Sequence, residues 1–313
     1  MNVTVLGGTR FMGRRIVMQL LRDGHVVTIV HRGNHPDAAP SGVAEIVGDR
    51  SDPRVLLAVR ESSPDAIVDM SAYTAHQCAQ LLDAVGDVSR WVHCSTGAVY
   101  EPSPVFPWVE DSASGPWALW GQYGVEKLAC ELLLRDRRSE EVSVVFRPPY
   151  VLGPGNYAPR EEFILNRLLD GAEILIPGDG ESLLHMVSAD EIGQMFARAV
   201  DHPLATGFHC FNAGGPNLVS SLGLVHLLAE ISGTTPRVRH IKRPTDAAPF
   251  NTADHVFPFP DVPYVLDRTK LAEHGLVSRP TPLIEVLHES FEHLMRNPSR
   301  RMWARTAAEQ SAA

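Results

Sequence analysis

Tyr123 and Lys127, in the stretch YGVEK, stand four residues apart, which on a helix puts both side chains on one face. An ammonium so placed lowers the phenol's pKa from about 10 toward working pH. A tyrosine tuned in this way can exchange a proton with a secondary hydroxyl while a hydride moves between the same carbon and a nicotinamide. The chain has three lysines and six tyrosines among 313 residues, so accident is a poor explanation for the pairing. Upstream, RWVHCSTGAVYE reads as a buried strand ending at Ser95 and Thr96. A hydroxyl at the C-terminal end of such a strand lies where α/β sheets bind ligands, and Thr96 can hold the substrate oxygen beside Tyr123. The stretch DMSAY ends the preceding strand at the same rim. There Ser71 and Ala72, followed by Tyr73, either leave room for a nicotinamide ribose or simply pack.

Something must hold a dinucleotide against these groups, and the N-terminal TVLGGTRFMGRR has the form of a phosphate-binding turn. Gly7 serves the chain reversal after the first strand, and Gly13 the close approach of helix to sheet. Thr9, Phe11 and Met12 lie within the same turn, whose pyrophosphate would rest on the helix N-terminus. Arg10 occupies the place of the usual middle glycine, so its side chain must project outward, toward the adenosine ribose. The second strand ends VTIVHRG, with His31 and Arg32 where an acid would bind a free ribose 2′-OH. Two arginines and no carboxylate favour NADP over NAD, against the plain alternative that both are solvated surface groups. Asp49, closing the third strand beside Arg50, either accepts a hydrogen bond from the adenine amino group or is an ordinary turn residue.

These elements need a scaffold. The first half alternates β-branched runs with helical patterns, predicting right-handed βαβ crossovers and a parallel, doubly wound Rossmann-type sheet. We expect a dinucleotide-binding domain over 1–152 and a smaller substrate-binding lobe over 153–313, with some later segments returning to the first. In the lobe, Tyr150, Asn156, Tyr157 and Arg160 are candidates to line a substrate pocket, and His185 faces either substrate or solvent. Trp117 and Trp120 form a lid or pack the loop. The last 15 or so residues, PSRRMWARTAAEQSAA, carry no strong apolar face and are expected to fray.

A net charge of −9 argues against a broad grip on nucleic acid or on an anionic membrane surface. Four widely spaced cysteines predict buried thiols without disulfides. No secretory leader or membrane span is read, so the expected compartment is the cytoplasm. No metal site is expected, because His288 and His293 lie five apart, about 140° around a helix.

With the glycine turn, the strand-end Thr96 and YGVEK in order, the chain resembles the extended and atypical short-chain dehydrogenase/reductases, the NAD(P)-dependent epimerase/dehydratase family. CSTGAVYE, YGVEKLACE, FRPPYVLGPGN and VLDRTKLAEHGL carry the resemblance across nearly the whole chain. It implies a Thr96–Tyr123–Lys127 triad, cofactor contacts along Gly7 to Gly13 and at Pro148, a sugar-like substrate, and a homodimer. Two departures narrow it. Gly97 and Ala98 stand where 4,6-dehydratases carry an Asp-Glu pair, and Leu184 stands about where nucleotide-sugar members place an arginine after GDG. Epimerase and reductase both remain open. The GGTRFMG form of the turn is closest to the branch that includes the chloroplast stem-loop-binding proteins, which implies the alternative of a catalytically silent binding protein associated with RNA.

Overall fold

The apolar runs of the first half become strands of one parallel sheet. The computed structural model describes residues 1–34, 39–242, 250 and 255–312. Twelve strands are found among them: β1 (Asn2–Leu6), β2 (Val26–His31), β3 (Ala44–Val47), β4 (Ala66–Asp69), β5 (Arg90–Cys94), β6 (Val142–Arg147), β7 (Tyr150–Leu152), β8 (Glu173–Pro177), β9 (Leu183–Ser188), β10 (Gly207–Asn212), β11 (Asn217–Ser220) and β12 (Arg237–Ile241). Between them run α1 (Phe11–Arg22), α2 (Pro53–Glu61), α3 (Ala75–Val85), α4 (Gly121–Arg137), α5 (Arg160–Leu169), α6 (Ala189–Asp201) and α7 (Ser221–Ser232). The C-terminal part adds α8 (Thr269–Glu273), α9 (Leu283–Arg296) and α10 (Ala307–Ala312).

Seven strands form the central sheet in the order β10-β6-β5-β4-β1-β2-β3, every pair parallel. Because a parallel sheet must be covered on both faces, its inner strands β1, β4, β5 and β6 are buried along nearly their whole length. One face is sealed by α1 and α6, whose Ile16, Val17, Ile192 and Phe196 join the sheet residues in a single core. The other is sealed by α2, α3 and α4 through Val59, Leu81, Cys130 and Leu134. The fold is thus the expected doubly wound Rossmann-type sheet. Strand order reverses between β1 and β4, and a crevice opens at such a switch point. Edge strand β10 comes from far down the chain, and α6, carried by a capping box of Ser188 and Glu191, packs against α1.

A second core gathers β7, β9, α5, α7 and α9 around Ile164, Leu184, Leu224 and Leu287. The C-terminal segment docks on this lobe instead of fraying, and the reason lies in tertiary charge pairing. Arg167 of α5 donates from Nε and Nη2 to Glu309 of α10 at 2.7 and 2.5 Å. Both side chains are almost fully buried, at 2% and 0% exposure. Trp303 and Phe163 flank the guanidinium. Arg300 donates to Glu162 and to the Asn156 carbonyl oxygen. No apolar periodicity was needed to anchor the tail. Glu309→Ala leaves Arg167 unpaired, and we expect it to cost about 3 kcal/mol, near the low end for a broken buried pair because the tail can lift and admit water. Urea denaturation checks this; a loss under about 1 kcal/mol, as for an exposed pair, would contradict the anchoring.

Candidate active site

The glycine turn is sterically enforced. Gly7 ends β1 at φ +96°, a conformation that favours glycine. A Cβ at position 13 would overlap the Gly7 carbonyl oxygen, and one at position 8 would press on Ile29 and Val17 at 2.8 Å. The N-terminus of α1 therefore comes close against the sheet. Its first turn holds no acidic residue, and Arg10 supplies no side-chain cap, so its leading N–H groups are available to an anion. A groove of about 420 Å³ opens in front of it, lined in part by Gly7, Thr9, Arg10, Met12 and Gly13.

Arg10 is exposed, with extended backbone (φ −133°, ψ 156°), and its guanidinium lies 5.9 Å from the Tyr157 ring centroid at the groove's rim. Arg32 is also exposed along the groove. His31 lines the groove too, but its Nε2 pairs with Glu45 at 2.8 Å and its Nδ1 accepts the Gly33 N–H. Both ring nitrogens are thereby occupied within the protein. Asp49 borders the groove, and hydrogen bonds from the Ser51 hydroxyl and N–H hold its carboxyl below the usual carboxylate range. Arg50 forms part of the wall. It pairs bidentately with buried Asp69 at 2.6 and 2.9 Å and donates to Ser71 Oγ and the Gln77 carbonyl. Burial would raise the Asp69 pKa, but Arg50 more than offsets this and holds it well below normal. Asp69 also accepts the Ser71 and Ala72 N–H groups, fixing the loop after β4.

That loop reaches the second half of the site. Lys127 is buried and donates to the Ala72 carbonyl at 2.8 Å and the Cys94 carbonyl at 2.5 Å. Burial alone would lower its pKa, yet Tyr123 and other neighbouring groups raise it, so it stays an ammonium. Helix α4 can approach β5 because residue 124 is glycine: a Cβ there would overlap the Ala98 carbonyl. Tyr123 consequently lies beside Thr96 at the same cleft. Lys127 pulls the Tyr123 phenol down, as the YGVEK spacing implies, but it does not act alone. Burial pushes the phenol up by more than Lys127 and Thr96 pull it down. The ring still borders the open cleft, which leaves the residue 42% exposed.

Thr96, Tyr123, Lys127 and Pro148 line one cleft of about 350 Å³. Met12, Met70, Tyr73 and Tyr157 line both this cleft and the groove, so the two adjoin. Phe11 borders the cleft and packs edge-on to Tyr157. Tyr150, Asn156 and Arg160 also line it, although the Asn156 side chain is spent on Val151, Glu161 and Ala158. His185 is not brought there. It is buried in the lobe, donating to the Gly215 carbonyl from Nε2 and accepting the Leu266 N–H at Nδ1. Trp120 borders the cleft, whereas Trp117 packs behind it against Trp108.

Sequence reasoning missed Phe250 and Tyr264, which reach the cleft from the far end of the chain without any local motif. It also missed the support beneath Thr96. The Ser95 hydroxyl donates to Glu131, and Glu131 accepts Nε and Nη2 of Arg147, all of them buried. Ser-Thr pairs are commonplace and offered no sign of this.

A doubly wound sheet whose glycine turn opens into a cleft holding Thr96, Tyr123 and Lys127 defines a dinucleotide-fold protein of the short-chain dehydrogenase/reductase type. The chain belongs to the NAD dependent epimerase/dehydratase family, whose model matches residues 3–214. It is 27% identical to the chloroplast stem-loop binding protein of 41 kDa b from Arabidopsis thaliana, across 93% of this chain and 78% of that protein. It is 28% identical to 2′-dehydrokanamycin reductase from Streptomyces kanamyceticus, across 66% of this chain and 60% of that one. Among solved structures, the UDP-glucose 4-epimerase of Thermus thermophilus in complex with NAD superposes with a TM-score of 0.76 at 22% identity, covering 95% of this chain and 100% of that one. No helix among the described residues is long and apolar enough to cross a membrane.

Proposed function

We propose that the protein is an NAD(P)-dependent oxidoreductase or epimerase acting on a secondary alcohol or ketone of a sugar-like substrate. The observation that carries this reading is that Thr96, Tyr123 and Lys127 share a cleft that adjoins the glycine-turn groove. The glycine cradle fits a dinucleotide pyrophosphate, which would rest on Gly7, Gly13 and the start of α1. A dinucleotide held there would supply the hydride-transfer chemistry. Thr96 donates a hydrogen bond to the substrate oxygen. Tyr123, neutral at rest, gives that oxygen a proton in the reductive direction and takes it back in the oxidative one. Lys127, held by two carbonyl oxygens, stabilises the phenolate formed when Tyr123 gives up its proton.

Two features bear on substrate. A Cβ at residue 97 would overlap the Tyr264 hydroxyl, which supports a reading other than a 4,6-dehydratase. Leu184 is fully buried in the lobe, so it offers no clamp for a nucleotide diphosphate. For the cofactor, exposed Arg10 and Arg32 support NADP. The double substitution Arg10→Gln, Arg32→Gln should weaken NADPH about tenfold or more, the worth of a lost charge-assisted hydrogen bond, and change NADH little. Equal losses would defeat the 2′-phosphate reading.

The deciding experiment identifies any dinucleotide released on denaturing the purified protein and then titrates the cofactor-stripped protein with NADPH and NADH. Retained, non-exchanging cofactor supports an epimerase that recycles its own hydride, and freely exchanging NADPH supports a reductase. Binding of neither would overturn the proposal. The Arabidopsis relative motivates the competing reading of a silent, RNA-associated protein. The net charge of −9 opposes it. Tight, salt-sensitive gel shifts that survive Tyr123→Phe would favour it.

A further inference from the structure

Arg160 opens α5 on the lobe side of the cleft. Its guanidinium carbon lies 5.4 Å from the Tyr150 ring centroid and 5.8 Å from that of Phe259. Among the described residues no carboxylate comes within ion-pair distance of it, and its Nε is buried without a hydrogen-bond partner. The two adjacent acids are committed elsewhere. Glu161 accepts from the Gly153 N–H, Asn156 and Ser290, and Glu162 accepts from Arg300. A second group points the same way. Tyr150 lines the same cleft at 4% exposure, and its buried hydroxyl has no hydrogen-bond partner. Buried polar atoms left unpaired are costly. Two of them at one wall, beside a cation with no ion-pair partner among the described residues, indicate that the missing partner is a ligand.

We propose that Arg160 and Tyr150 form a receptor for a single compact oxyanion, a carboxylate or a phosphate carried by the sugar-like substrate. The inference rests on the cleft being the substrate site and adds the substrate's charge class. Stacking against aromatic faces leaves a guanidinium's edge free to donate two parallel hydrogen bonds to a planar or tetrahedral oxyanion. The Tyr150 phenol supplies one further donor. Lys127, the other cation of the cleft, is already engaged by the Ala72 and Cys94 carbonyls, so the anion's place is at Arg160.

The test is calorimetric titration of the NADPH-saturated protein with inorganic phosphate, glucuronate and glucose, repeated on Arg160→Gln, Arg160→Lys and Tyr150→Phe. We expect at least one of the anions to bind and glucose to bind about tenfold more weakly or not at all. Arg160→Gln should lower the anion's affinity about tenfold, with partial recovery in Arg160→Lys and a smaller loss in Tyr150→Phe. NADPH affinity and the thermal midpoint should stay as in the parent protein. Preference for phosphate or for glucuronate tells which oxyanion the receptor takes. Absence of anion binding, equal binding of glucose, or an Arg160→Gln variant with full affinity would each overturn the receptor. Failure of the cofactor-stripped parent protein to bind either NADPH or NADH would instead overturn the oxidoreductase reading, and an Arg160-dependent anion affinity in that protein would still stand for the receptor.

Discussion

Tyr123→Phe lowers turnover by about 10²- to 10⁴-fold, the usual worth of a positioned general acid–base group, and leaves dinucleotide affinity unchanged. The phenol is the one group of the cleft placed beside Thr96 that both gains and loses a proton in the proposed cycle. Its raised pKa means that it begins neutral. The ring is retained in the variant, so the packing of α4 over Ala98, set by Gly124, is undisturbed. The measurement is oxidation of NADPH by a panel of keto sugars, with cofactor affinity determined in parallel. A raised phenol pKa also fixes the sign of the pH dependence. The reductive rate should hold through neutral pH and fall as pH passes that pKa, where the proton to be donated is lost. Activity like that of the parent protein in Tyr123→Phe would sink the mechanism, and a parallel loss of cofactor binding would recast the residue as structural.

Glu131→Ala destabilises the fold by about 3–5 kcal/mol, because it leaves Arg147 charged and dry. Arg147 is 4% exposed and Glu131 1%, so solvent screening offers little relief. Among the described residues the guanidinium keeps the Glu110 carbonyl at 3.0 Å and the Tyr100 ring face at 4.8 Å. Ser95 loses its acceptor at the same stroke, and Ser95 immediately precedes Thr96. Chemical denaturation should therefore show the stability loss. Replacing both partners by apolar residues, as in Glu131→Leu with Arg147→Met, should recover much of it, since a buried pair removed whole can be nearly neutral. A single substitution costing under about 1 kcal/mol would mean that water reaches the pair.

The order of elements along the chain was legible because local chemistry dictates it. Gly7 and Gly13 are demanded by a turn whose carbonyl leaves no space for a Cβ, and the YGVEK spacing is set by the pitch of a helix. The alternation of β-branched runs with helical patterns likewise implies a parallel sheet before any coordinate is known. These are short-range constraints, readable within a dozen residues.

What the tertiary structure alone decided are the contacts between distant segments. His31 has a carboxylate partner in Glu45 across β2 and β3, and Arg50 turns inward to Asp69. His185 braces the lobe between Gly215 and Leu266, and the charged tail is held by Arg167. Arg160 is a candidate for the substrate pocket by sequence, but only the tertiary structure shows that its neighbouring acids are taken by other partners. A side chain's type and spacing state what it can bind, but burial and pairing decide what it has left to bind. Both depend on residues the chain brings together from far apart.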